Sequence, residues 1–397
     1  MTTSSDTLSP PRLSLTALFL KFLRFGFLAF GGPVAQIAMI RRALVDEERW
    51  ISSSRFNRLL AVMQVLPGPE AHELCVHMGM MARGRIGGLL AGLGFMLPGF
   101  ILMLAAAWLY ERFIAGQSGL TGLLLGVQIV VVAIIIRAVH RIGSHVLEDR
   151  LLWMLAIGAF VASLLHSPFW IPLAACGLIY ALEQRPLAGV AIAAVAVLAA
   201  ILFGLQLEVA PPAVAISAEP SPQLAALFVA GLKGGLLTFG GAYTAIPYVR
   251  ADTVGRGWLP DGVFLDGVAL AGVLPAPLVI FGTFTGYVVG GWAGALAVTA
   301  GIFLPAFAFS MVLFNHLEAV VENPALHRLL AGVAAAVVGV IAATSLQVAW
   351  TTAQSAPSLW IAGVIFLIAL IAAWRTKPRW APILILGGAV SGFLVFS

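Results

Sequence analysis

Just after the run VLPGP, Glu70, Glu73 and His77 recur at i, i+3 and i+7, which places two carboxylates and an imidazole on one face of a helix. Such a trio in an apolar chain can relay protons or hold a divalent metal ion. Glu70 alone also suits the positive first turn of a helix, with no further chemistry. The HExxH arrangement of zinc proteases is absent, because the next histidine follows His72 by five residues.

A second set is cationic. Lys233 and Arg24 lie in otherwise apolar stretches, with Lys21 one turn before Arg24. A cation near the centre of a bilayer costs roughly 2.5 to 3.5 kcal/mol, which argues for a partner or an anionic substrate. Snorkelling to the headgroups is the alternative, above all for Lys21.

These residues sit inside a repeat. The stretch FGGPVAQIAMIRRALVDEERW, Phe30 to Trp50, returns as FGGAYTAIPYVRADTVGRGW, Phe239 to Trp258. The register pairs Arg24 with Lys233, Arg41 with Arg250, VLPGP (Val65–Pro69) with VLPAP (Val273–Pro277), and Leu97-Pro98 with Leu304-Pro305. The loop from Arg41 to Arg58 is strongly charged and of mixed sign, which reads as a solvated loop; Arg41 and Arg250 stand out because they recur.

Each repeat carries two backbone interruptions. Gly31-Gly32 loosens a helix that Pro33 restarts; Gly240-Gly241 is its second copy, and Pro67-Gly68-Pro69 and Pro275-Ala276-Pro277 repeat the logic. A helix restarting at membrane depth presents free N–H groups and a positive dipole end, an anion site. The expected ends lie near Pro33, Pro69, Ala242 and Pro277. Irregular backbone at that depth must face protein or a watery path. Kinking and close helix approach explain one such motif, but do not require it in matched pairs. Glycines spaced by four, at 84, 88 and 92 and at 282, 286, 290 and 294, read as helix packing.

The surrounding chain is that of an integral membrane protein. Its 397 residues are 61% hydrophobic and only 10% charged, with mean hydropathy +1.02, against roughly 25% charged in soluble domains. About thirteen apolar segments recur, the first at 13–39 and 57–82 and their counterparts at 223–249 and 262–289. The expected fold is all-α and polytopic, with 12 to 13 transmembrane helices in two homologous, inverted repeats broken at FGG and PGP/PAP. The repeats are placed at 1–206 and 222–397, joined by a Pro-rich linker at 207–221. Treating every segment as a full span sorts thirteen Lys and Arg to the N-terminal side and six, mostly from the 41–58 loop, to the other; this favours a cytoplasmic N-terminus. An odd number of spans between the FGG motifs then inverts the second repeat, as in many secondary transporters.

The first eleven residues lack a cleavable signal, and Cys75 and Cys176 read as packing residues. The net charge of +5 records loop orientation and implies no nucleic acid. There is no nucleotide motif, no nucleophile and base pair, and no cofactor signature, so an enzyme is not expected.

The segments FGGPVAQIAMIRR, DEERWIS, VLPGPEAHEL and GGLLAGLGFMLPG resemble the first half of the chromate ion transporter family, and LKGGLLTFGGAYTAIP, GWLPDGVFLDGVAL, LPAPLVIFGTFTGY and GIFLPAF its second half. The resemblance covers both repeats and implies a long, two-domain member in the bacterial inner membrane. It implies export of chromate, with sulfate as structural mimic and a homodimer left open, and resistance to chromate as the outcome. Substrate contacts are expected from Arg24, Arg41, Lys233, Arg250 and the backbone of the four breaks, and ion coupling from Glu70, Glu73 and His77. Removing the Lys233 charge is expected to lower transport without abolishing insertion. A divalent-cation carrier using Glu70, Glu73 and His77, and an anion channel, are the alternatives.

Overall fold

The computed structural model describes residues 10–30, 32–63, 66–115, 120–165, 167–168, 170–208, 223–238, 242–312, 324–376 and 380–396. These residues are almost wholly helical, with no strand among them. Residues 209–222, which hold nearly all of the expected linker, lie outside this set, as do Gly31, Gly240 and Gly241.

The first apolar segment is two helices. Helix α1 (Leu15–Phe27), capped by the Ser14 side chain, stops after 13 residues, about 20 Å at 1.5 Å per residue. Helix α2 (Gly32–Arg41) starts at the Gly-Pro break, with Gly32 in the left-handed region at φ +79°, and runs on as a π-helical turn, Arg42–Glu47. An ion pair joins Lys21 to Glu48 and the Trp50 ring meets Phe22 edge-on, so the chain after α2 has come back alongside α1. Helix α3 (Ser53–Met63) descends again to the PGP motif.

Helix α4 (Glu70–Phe113) is a hairpin of two arms. Its backbone leaves helical geometry at Arg83 (φ −144°, ψ 29°) and Gly84 (φ 61°, ψ −154°). The short arm, 70–82, folds back on the long arm, 85–113, with Gly79 in backbone contact with Gly87. Arg83 donates to the Leu13 carbonyl at 2.8 Å, which fixes the hairpin tip beside the start of α1. Five elements then cross in succession: the long arm of α4, α5 (Thr121–Val146), α6 (Arg150–Leu164), α7 (Trp170–Ala181) and α8 (Pro186–Glu208).

The second repeat copies this plan. It runs through α9 (Leu224–Leu236), a 3-10 turn (Ala242–Ala245), α10 (Ile246–Thr253), α11 (Asp261–Val273), a second 3-10 turn (Leu278–Ile280) and α12 (Phe281–Val312). Helix α12 turns at Gly290 (φ −139°, ψ 22°) and Gly291 (φ 60°, ψ −152°), within a few degrees of the values in α4. Thus Gly84 and Gly290 form turns, whereas Gly88, Gly92, Gly286 and Gly294 take the close helix contacts expected of the glycine series. Helices α13 (Pro324–Gln354), α14 (Leu359–Arg375) and α15 (Ala381–Phe396) complete the chain.

The repeats are inverted. His72 in the short arm of α4 packs its ring on Phe303 and Phe307 of α12, at 4.9 and 4.7 Å between centroids, and Gly92 also abuts Phe307. The counterpart of Gly92 in the second repeat is Thr299, eight residues or about 12 Å up the helix from Phe307. Parallel copies would bring residues of equal depth together, so the two long arms run antiparallel. The five crossings agree, since an odd number delivers α9 to the opposite face. Among the described residues helix α8 has no counterpart in the second repeat, and it supplies the odd crossing.

The two halves also interlock. Helix α5 packs on α14 and α15, while its counterpart α13 packs on α6 and α7. Small residues make the seams: Gly126 meets the Gly388 carbonyl, and Gly332 meets that of Cys176. Both free cysteines are buried.

The half-length helices redraw the expected sorting of charge. The loop carrying Arg41, Arg42, Arg49 and Arg55 returns to the face of the α1 start, with Arg12, Arg83, Arg85, Arg150, Arg185 and Arg375, instead of crossing to the other face. Arg250 and Arg256 fall on the opposite face with Arg112.

Candidate functional site

At the centre, the breaks of one repeat meet those of the other. Gly68 of PGP donates its N–H to the carbonyl of Thr238, at the end of α9, at 2.8 Å. From the opposite direction, the buried Gln36 amide donates to Ala29 at the end of α1 (2.8 Å) and to Ala276 of PAP (3.0 Å). Gly68 also faces Ala306 and Gly99 faces Ala276, so each Pro-x-Pro motif packs on the Leu-Pro step of the other repeat's long arm. Gly68 has φ +147° and abuts the Glu73 carboxyl, and a side chain there meets both obstacles.

Beside this junction lies a cavity of about 50 Å³, lined among others by Gly32 and Pro33 at the start of α2, Arg137 and Arg141 of α5, Tyr243, and Ala276. That volume holds a few water molecules or one small polyatomic anion, at roughly 10 to 15 Å³ per water. Arg137 and Arg141 are one turn apart on one face of α5 and half-buried. Two unit charges about 6 Å apart repel by about 3 kcal/mol at an effective dielectric of about 20. No carboxylate forms an ion pair with either among the described residues. Arg137 donates to the Thr376 carbonyl at 2.8 Å, which holds its guanidinium in place. Tyr243 lies within electrostatic reach of both arginines, and Glu70 within that of Arg141. The first turn of α2 adds its own N–H groups on the same side. The arrangement suits a small, compact, multiply charged anion.

None of the four cations expected from sequence is among the residues lining this cavity. Arg24 is exposed on the last turn of α1. Lys233 is 3.0 Å from Asp252, which also takes Arg256 at 3.1 Å. Arg250 grips Asp261 with two bonds of 2.7 and 2.5 Å, and Arg41 donates to Ser53 at 2.9 Å. Ser53 and Asp261 occupy equivalent positions at the starts of α3 and α11, so the recurrent arginine braces the same helix start in both repeats. The other break residues do sit at the junction: Pro69 caps α4, Pro277 caps the turn before α12, and Pro67 and Pro275 precede them.

Glu70, Glu73 and His77 line the short arm of α4 and are 5%, 0% and 3% exposed. Ser310 of α12 donates to the backbone carbonyl of Glu73. Neither carboxylate oxygen of Glu73 has a hydrogen-bond partner among the described residues. No group of three His, Cys, Asp or Glu is placed to hold a metal among those residues.

The sequence profile of the chromate transporter family matches residues 16–181 and 225–393, one match for each repeat. The chain belongs to the chromate transporter family. Relatives bear this out: it is 56% identical over 395 residues to a chromate transport protein of Pseudomonas aeruginosa, covering 98% of this chain and 94% of the relative. It is 29% identical over 404 residues to a chromate transport protein of Cupriavidus metallidurans, covering 100% and 96%. A probable chromate transport protein of Synechococcus elongatus is 28% identical over 411 residues, covering 98% and 97%. No solved structure matches the chain. These relatives are named as transport proteins, which points to a transporter rather than an enzyme, and the apolar helices make this family member a multi-pass membrane protein.

Sequence reading of this family member passed over Arg137, Arg141, Tyr243 and Gln36. A signal existed for the arginines: cations at i and i+4 close an apolar segment, where they read as loop charges that record orientation.

Proposed function

We propose that this protein exports chromate across the bacterial cytoplasmic membrane and so confers chromate resistance, with the anion held between Arg137 and Arg141 at the start of α2. The cavity carries the proposal: two arginines that form no ion pair with a carboxylate among the described residues face a helix start where the repeats cross. Pro33, Tyr243 and Ala276 of PAP complete the cage, and the Pro67–Pro69 junction beside it is the symmetry-related counterpart of PAP. Lys233, Arg24, Arg41 and Arg250 shape the path from outside the cage. Sulfate, with the same charge and tetrahedral shape, is the expected competitor.

The positive-inside rule supports a cytoplasmic N-terminus, because the face with Arg12, Arg42, Arg83, Arg85, Arg150 and Arg185 far outweighs the one with Arg112, Arg250 and Arg256. Moving two negative charges out of an inside-negative cell gains about 4.6 kcal/mol per 100 mV, so the potential can drive export.

The test is flux in sealed vesicles holding the purified protein, with an imposed potential and labelled chromate or sulfate, and a divalent cation as control. Saturable oxyanion flux that follows the potential and is lost in Arg141→Gln is the expected result. Cation flux without oxyanion flux would overturn it.

A further inference from the structure

Outside the cavity, one buried carboxyl is held by neutral donors alone. Asp266 of α11 is 3% exposed; Tyr110, at the end of the long arm of α4, donates its hydroxyl to Oδ2 at 2.7 Å, and Gln128 of α5 donates its amide to Oδ1 at 3.0 Å. The Gln128 amide also lies 3.3 Å from the carbonyl of Gly262, one turn earlier on α11.

We infer that Asp266 is a proton-binding site coupled to the anion path. No cation faces it. Helix α4 presents Tyr110, with exposed Glu111 and Arg112 beyond; α5 presents Gln128, nine residues before Arg137; and α12 carries Tyr287. Helix α15 and the turn before α12 hold no titratable side chain, and Thr351 of α13 donates to Asp261 instead. On α11 itself Asp261 is neutralised by Arg250. A lone carboxylate in such a place is costly, and a bound proton removes that cost.

The network tolerates both states. A tyrosine hydroxyl that donates to the carboxylate can rotate and accept from the acid at the same heavy-atom distance, while Gln128 still donates to the other oxygen. The proton enters from water at the face of Asp261, about 7.5 Å along α11, and returns to water when the site reopens. Asp266 is also specific to its half. Phe264 and its counterpart Phe56 are both buried, yet the position equivalent to Asp266 is Arg58, so the carboxyl is not a requirement of the repeat. Through Gln128 it touches the helix that carries Arg137 and Arg141, so its protonation bears on the anion cage.

The coupling half of the inference rests on the anion reading; protonation itself does not. The experiment uses the full chain in vesicles with a pH-sensitive dye inside, chromate as the moving anion, and infrared difference spectra across a pH titration. Wild type should show a protonated-carboxyl band that titrates, absent from Asp266→Asn, and proton movement opposite to chromate that this variant loses while it still exchanges chromate. Proton movement per chromate in Asp266→Asn equal to wild type, or a carboxyl band unchanged by that substitution, overturns the inference. Should Asp266→Asn not fold, Tyr110→Phe keeps the carboxyl: a several-fold shift in the proton concentration for half-maximal transport supports the site, and an unchanged profile overturns it. Arg141→Gln separates the two readings, since it should abolish chromate-driven signals and leave the infrared titration intact.

Discussion

Gly68 and Thr238 are 170 positions apart in the chain, yet the N–H of the first reaches the carbonyl of the second at 2.8 Å and ties the PGP break of one repeat to the broken helix of the other.

Replacing Gly68 by Ala should therefore strike both repeats. Backbone at φ +147° costs a non-glycine residue about 1 to 3 kcal/mol, and the new Cβ meets the Glu73 carboxyl as well. Thermal unfolding in detergent should show a marked loss of stability, and vesicle flux should fall with it. A variant as stable and active as wild type refutes the role of the junction.

The cavity separates two classes of cation. Arg141→Gln should raise the KM for chromate roughly 10- to 100-fold, the worth of one charged hydrogen bond, so that flux disappears at chromate concentrations near the wild-type KM and returns only far above it. Lys233→Ala should leave KM near wild type and lower stability, because its partner is Asp252. Concentration-dependent flux of the two variants, with wild type beside them, decides between the classes.

The brace at α11 can be tested against its own copy. Arg250→Ala should destabilise by about 1 to 3 kcal/mol, as a partly buried pair is broken. Asp261→Ser should be milder, because Arg41 is satisfied by Ser53 at the equivalent place. Unfolding midpoints of the two variants and the double variant measure the difference.

The hairpin offers a contrast between strain and space. At Gly84 an added Cβ has nothing within 4 Å, so Gly84→Ala should cost only the backbone strain of φ 61°, about 1 to 3 kcal/mol. Gly79 has ordinary helical geometry but touches the Gly87 carbonyl, and Gly79→Ala must push the two arms apart. The second variant should be the less stable in the same unfolding assay.

Much of this was legible in the sequence because it is written locally. Glycine and proline fix where backbone breaks, so FGG, PGP and PAP marked the helix ends, and the break at Arg83 to Arg85 separated two apolar segments that prove to be the arms of one hairpin. Recurrence at a near-constant spacing exposed the repeat, and an odd count of crossings its inversion. Depth and partnership are not local. Whether an apolar segment crosses or turns back depends on what it packs against, as α1 and α2 do through Lys21, Glu48 and Trp50. Whether an arginine is free for an anion depends on which carboxylates the fold brings near. Arg250 braces Asp261 as Arg41 braces Ser53, while Arg137 and Arg141, which do not repeat, form no such ion pair among the described residues, because α5 is carried across to the second repeat's breaks. Composition and spacing determined the membrane class, the repeats and their breaks; only the tertiary structure, which sets distances between residues far apart in the chain, decided which charges are spent on each other and which face the cavity.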